Sequence, residues 1–165
     1  MKDDFTKQMT KELLRIEEDC EHSAKRHFNA SNRWENYHLL LGIPSAVIAA
    51  IAGASAFNNY PILAGVLAIT STALTTVLTF LKPSERSEKH QAIGNQYLSL
   101  RNKTRLFREL DLKNEEESKN MILELSATRD DLNSSALNTT RKDYELAKQD
   151  IDEGRAKYKV DKYDS

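Results

Sequence analysis

Between Asn36 and Leu81 the chain carries no Asp, Glu, Lys or Arg. That is 46 consecutive residues in a 165-residue protein of which 30% is charged, so all 49 charged side chains fall in the other 119 positions. Such segregation implies two solvents, water for the flanks and lipid for the block.

The block divides at Asn58-Asn59-Tyr60-Pro61. Asparagine side chains bond nearby backbone and favour turns, and Pro61 suits the first turn of a new helix. The halves, residues 38–57 and 61–81, hold 20 and 21 residues. At about 1.5 Å per helical residue each spans roughly 30 Å, the thickness of a bilayer's hydrocarbon core. The expected fold class is all-α: a two-span transmembrane helical hairpin with long cytoplasmic helices packed as a stalk or bundle. One domain is expected over 1–165, with no repeat, low-complexity tract or linker. The alternative is a water-soluble protein that buries a central apolar hairpin, as some pore-forming toxins do. Covering two such helices with 119 largely polar residues is difficult.

Flanking charge predicts topology. Lys25, Arg26 and Arg33 precede the first span, Lys82, Arg86 and Lys89 follow the second, and the connecting turn has no basic residue. The positive-inside tendency then puts both termini in the cytoplasm, as expected of a multi-pass protein of the inner membrane. Trp34, Tyr37 and Tyr60 fall near the interfaces, where amphipathic rings favour the headgroup level. The charged N-terminal region is too long for a signal peptide, so no cleavage is expected.

Residues 1–36 are expected to form an N-terminal cytoplasmic helix, clearest over 3–36. Phe5, Met9, Leu13, Ile16, Cys20, Ala24 and His27 recur at alternating spacings of three and four, a narrow coiled-coil-like seam that implies a partner helix. After Pro83, with Ser84 as expected N-cap, a helix over 84–113 carries Ile93, Tyr97, Leu100, Thr104, Phe107 and Leu110. Leu13, Ile16, Tyr97, Leu100 and Phe107 are the candidate stalk residues, through which copies of the chain would also associate. Over 115–165 a break at Asn114, a short helix over 116–126 with Met121, Ile122 and Leu125 on one side, and a loop over 128–135 are expected. A last helix, capped by Asn138, Thr139 or Thr140, is expected to run to about Tyr163 with a stripe of Tyr144, Ala147 and Ile151, extending weakly to Tyr158.

Within the first span Gly42, Ala46, Ala50 and Ala54 recur every four residues, with Ser45, Ala49 and Gly53 on an adjacent ridge. Small residues at this spacing let membrane helices approach closely. In the second span Thr72, Thr75, Thr76 and Thr79 share a face with Ser71 beside it. Either these hydroxyls bond their own helix carbonyls, or they line a pore between subunits. Pro44 either kinks the first span or marks where its helix restarts.

Several function classes find no support. There is no glycine-rich phosphate loop and no CxxC, and the four histidines, His22, His27, His38 and His90, are scattered. Asp130-Asp131 reads as a cap or solvated turn. No nucleophile or acid–base pair with a positioned partner is evident, so no enzyme, metal or cofactor is expected. A net charge of −1 gives no reason to expect nucleic-acid binding. The single Cys20 cannot form an internal disulfide and reads as a buried small hydrophobe, with redox sensing as the alternative.

In order, the chain shows a charged helix ending in Trp34-x-x-Tyr37, a first span, a short turn, and a second span closed by Leu81-Lys82-Pro83-x-x-Arg86-x-x-x-His90. A helix with Tyr97-x-x-Leu100 and a later Tyr144-x-x-Ala147 follow. This arrangement resembles the SLATT family, two-span effector domains of bacterial nucleotide-signalling and conflict systems, over nearly the whole chain. The resemblance implies a membrane effector of antiphage defence that oligomerises on activation, permeabilises the inner membrane and halts growth of the infected cell. It carries over no catalytic residue, and it implies a sensor or signalling partner encoded nearby. The runner-up reading is a non-conducting scaffold that anchors a partner through its cytoplasmic helices. A holin-like protein is a third reading, against which the long polar helices argue.

Overall fold

The computed structural model describes residues 2–112 and 115–155. They form five α-helices, α1 (Lys2–Phe57), α2 (Pro61–Leu81), α3 (Pro83–Leu106), α4 (Glu115–Ser135) and α5 (Arg141–Asp152), and a π-helical turn at Phe107–Asp111. No strand occurs among the described residues. Two helical stretches, within Phe5–Phe57 and Pro61–Leu110, are long and apolar enough to cross a membrane. The chain divides into two compact units, one of residues 1–30 with 89–165 and one of 31–88. Both boundaries fall inside helices rather than at a linker.

The N-terminal helix and first span are one element of 56 residues. Nothing between Arg33 and Leu41 breaks a helix, and α1 continues through Pro44. Proline removes one backbone donor, a loss that long apolar helices tolerate.

In the unit of residues 31–88, the C-terminal part of α1 runs antiparallel to α2 and the first turns of α3. The turn forms as its asparagines predict: the Ala54 carbonyl accepts from both the Asn58 backbone N–H (3.2 Å) and Asn58 Nδ2 (2.9 Å), and Asn59 adopts φ 60°. Pro61 opens α2. At the other end a single residue, Lys82, in the left-handed region at φ 45°, separates α2 from α3 and donates its N–H to Leu78. Pro83 supplies a fixed φ and needs no partner for a missing N–H, so α3 begins there. The expected Ser84 cap is therefore displaced: Ser84 lies within the helix.

In the other unit, α1 packs against α3, and α4 and α5 cover the pair. The core joins Leu13, Ile16, Cys20 and Ala24 of α1 to Tyr97 and Leu100 of α3 and Leu125 of α4. Phe107, Met121 and Ile122 pack on its edge, whereas Leu110 is 60% exposed. Gly94 allows the close approach of α1 and α3: a Cβ there would lie 2.6 Å from the Phe28 ring.

The loop expected over 128–135 is instead the second half of α4. Its polar residues are poor helix formers, but tertiary contacts override that preference. Leu132 packs on the core, Asn133 Oδ1 accepts from the Tyr97 hydroxyl (2.8 Å), and Arg129 reaches Asp19 (3.2 Å). The last helix is capped by Thr140, whose hydroxyl accepts from the Asp143 N–H while the Asp143 carboxylate accepts from the Thr140 N–H (2.8 Å). That capping box turns Asp143 inward, so the buried stripe of α5 is Asp143 and Ala147, while Tyr144 is 46% exposed. The helix ends at Asp152, followed by a turn with Gly154 at φ 72°. Expectations at Lys113, Asn114, Tyr158 and Tyr163 lie outside the described residues.

Candidate functional site

The inner seam of the hairpin is built from serines. Ser45 Oγ donates to the Ser71 carbonyl (3.1 Å), Ser71 Oγ donates to the Ser45 carbonyl (2.9 Å), and Thr75 Oγ1 lies 2.8 Å from Ser45 Oγ. A second clasp repeats the pattern nearer the base: Ser31 Oγ donates to the Ser87 carbonyl and Ser87 Oγ to the Ser31 carbonyl, both at 3.0 Å. All four serines are buried. Each hydroxyl crosses to the facing backbone, so the helices are held by polar bonds that an apolar solvent cannot replace.

The face that α1 turns to α2 carries Ser45, Ala52 and Ser55, all buried. Of the candidate helix-packing residues, Ala46, Ala50 and Ala54 are exposed and Gly42 is half-buried, so within one chain they are not the residues that meet α2. A Cβ at Gly42 would meet Leu78 at an ordinary 3.8 Å, so close approach does not require glycine there. The adjacent ridge is not turned inward as a whole either: Ser45 is buried, but Ala49 and Gly53 are exposed.

Thr72, Thr75, Thr76 and Thr79 line one shallow groove of about 280 Å³ on α2, with Ser71 and Phe80. Thr72, Thr76 and Thr79 donate to the carbonyls of Ala68, Thr72 and Thr75 at 2.8–2.9 Å, and Thr75 donates to Ser71 (3.0 Å). Each donor is thus satisfied within its own helix, while the oxygens can still accept from water or a neighbour. Around the groove the hairpin is apolar: Leu40, Ile62, Ile69 and Phe80 are 68%, 83%, 73% and 82% exposed. At its base Arg86 and Arg33 lie over the Trp34 ring, 4.9 and 5.3 Å from its centroid, and Tyr37 meets the ring edge-on.

Of the candidate stalk residues, Leu13, Ile16, Tyr97 and Leu100 are buried within one chain and Phe107 is partly so. They are used to join α1 to α3 and are not free to meet a second copy. Charged pairs bracket them: Arg108 grips Glu17 through both forks (2.7 and 3.3 Å), and Arg101 reaches Glu21 (3.2 Å).

The structure joins two histidines that look unrelated in sequence. His27 and His90 are almost wholly buried with their Nδ1 atoms 2.9 Å apart, and His27 stacks on Tyr97 at 5.8 Å. One Nδ1 must carry the hydrogen and the other accept it. Burial, then the facing His90 and Arg26, push the His27 pKa down to about 4, against a smaller upward pull from Asp143. A signal was available: the turn is centred between Asn58 and Asn59, and His27 and His90 each stand 31.5 positions from that centre. Burial pushes the Cys20 thiol up to about 12, which makes it an inert core group. Among the described residues no group of three or more His, Cys, Asp or Glu is placed to hold a metal ion.

No protein-family model matches the chain, and no match is found among curated proteins or solved structures.

Proposed function

We propose that the chain is a membrane effector whose hairpins assemble, copy against copy, into a pore that permeabilises the inner membrane, acting in antiphage defence as its resemblance to the SLATT family implies. The observation that carries this reading is the outer surface of the hairpin. It is largely apolar, as lipid requires, and four of its exposed hydroxyls gather in a groove on α2, with Thr70 outside it. One hairpin cannot enclose water, but several copies with the groove turned inward can. The exposed ridge of Ala46, Ala50 and Ala54 then offers a small-residue surface for the neighbouring hairpin. Trp34 with Arg33 and Arg86 suits the cytoplasmic headgroup level, and the uncharged Asn58–Tyr60 turn the far side. Because the stalk residues are spent within one chain, association falls to the hairpin and to outer faces of the helical unit.

Purified protein in liposomes tests this through dye influx or potassium release, alongside the mass of the detergent-solubilised complex. Leakage by an oligomer is expected. Sealed liposomes from a strictly monomeric protein sink the reading. A second reading, a non-conducting scaffold, is favoured by the threonine donors already being bonded within α2. Replacing Thr72, Thr76 and Thr79 together by Val separates the two: a pore keeps its oligomer and loses leakage, whereas a scaffold loses nothing.

A further inference from the structure

A polar cavity of about 440 Å³ opens where α1 meets α4 and α5, lined by Glu18, Asp19, His22, Ser23, Arg26, Asn133 and Tyr144. We propose that it binds the phosphate group of a small soluble metabolite.

The argument starts from unsatisfied chemistry. Five buried side-chain nitrogen or oxygen atoms among the described residues have no hydrogen-bond partner, and two of them, His22 Nδ1 and Arg26 Nε, belong to this one wall. A guanidinium N–H removed from water without an acceptor is costly, and native proteins keep few such groups. His22 and Arg26 stand four residues apart, hence one above the other on the same face of α1. Those two nitrogens are closed to solvent, but both side chains are partly exposed; a guanidinium fork beside an imidazole suits a group with two or three oxygens, and Arg matches phosphate geometry in particular.

The rest of the lining restricts the ligand further. Glu18 and Asp19 are exposed at the mouth, with Asp19 3.2 Å from Arg129. Two carboxylates there repel polyanions and accept from a hydroxyl or amine, so the ligand carries one anionic group and a donor-bearing remainder. The half-exposed Tyr144 ring offers that remainder a flat apolar face. The volume lies within the usual range for metabolite pockets. Occupancy would tie three helices together, adding to the Asn29–Asp143 and Asp19–Arg129 links that now join α1 to α5 and α4. The site lies wholly in the unit of residues 1–30 and 89–165 and stands whether or not the hairpin conducts.

Thermal unfolding of the full chain in detergent, followed by circular dichroism at constant ionic strength, tests the proposal. The probes are inorganic phosphate, glycerol phosphate, adenosine monophosphate and a short-chain phosphatidic acid. A soluble phosphomonoester is expected to raise the midpoint saturably by about 5 °C. Arg26→Met should abolish that shift while its own unliganded midpoint stays level or rises, because the orphaned N–H is gone. An Arg26 kept only for packing predicts a lower midpoint instead. His22→Gln, the milder change should Arg26→Met not fold, should weaken binding about tenfold. Absence of a shift with every probe, or an equal shift in the variants, overturns the proposal. A shift with phosphatidic acid alone overturns the soluble ligand in favour of a lipid headgroup.

Discussion

Acidification should loosen the helical unit, and His27 sets the size of the effect. An unfolded chain holds this imidazole near pKa 6.5, whereas burial and the facing His90 lower it to about 4 in the folded protein. The folded pKa lies below the unfolded one, so between those values the unfolded state binds more protons and stability rises with pH. The contribution is complete above pH 6.5 and is lost progressively as pH falls toward 4. Lowering a histidine from 6.5 to about 4 corresponds to about 3 kcal/mol, of which about 2 kcal/mol is lost by pH 5. For a unit of this size that lowers the unfolding midpoint by roughly 8 °C between pH 7.5 and pH 5. Circular dichroism melts of the full chain in detergent read this directly, with His27→Gln as control. The geometry gives the physical reason: with the Nδ1 atoms 2.9 Å apart, protonating both rings sets two donors against each other in a site closed to water. A midpoint that is flat from pH 7.5 to 5, or that falls equally in His27→Gln, refutes the reasoning.

Other outcomes follow from the same contacts. Leu13 is fully buried in the core, so Leu13→Ala should cost about 3–5 kcal/mol, read as a loss in denaturant midpoint with unchanged slope. A retained midpoint would place Leu13 outside the core. In the hairpin, Ser45→Ala and Ser71→Ala should each cost only about 0.6–1 kcal/mol, whereas Ser71→Leu forces a large side chain into the seam and should part the helices. Cross-linking between cysteines placed on facing positions of α1 and α2 checks this. Cys20 should react with an aromatic disulfide reagent about a thousandfold more slowly folded than unfolded, since raising a thiol from 9.0 to about 12 removes that much thiolate. Rapid labelling of native protein would contradict its burial.

Much of the fold can be read from residue order because its causes are local. A run of 46 uncharged residues with Asn58-Asn59 at its middle admits little besides a helical hairpin, and the Asn58 side chain caps α1 as such a turn demands. The seam from Met9 to His27 and the stripe through Tyr97 and Leu100 are buried as their spacing requires. Thr140 is one of three caps the letters allow for the last helix, and its capping box with Asp143 appears only in the structure. What periodicity leaves open is rotation and partner. A helix with small residues on several faces, as in the first span, can turn any of them inward. Only pairing with α2 selected Ser45, Ala52 and Ser55 over Ala46, Ala50 and Ala54. The polar stretch over 128–135 reads as a loop because its own preferences are weak, and α4 extends through it because Leu132, Arg129 and Asn133 find partners on α1 and α3.

The sequence by itself therefore determined the helical character, the place where the chain turns back, and the segregation of charge from apolar surface, though not every element's bounds. These depend on propensity, length and transfer free energy, which act residue by residue. Only the tertiary structure decided which faces meet. It spent the stalk stripe within one chain, closed His27 on His90, clasped serines far apart in the chain, and left His22 and Arg26 at the wall of a cavity with nitrogens unpaired. Those outcomes depend on the register between helices, and register is a property of pairs of surfaces that no single stretch of sequence holds.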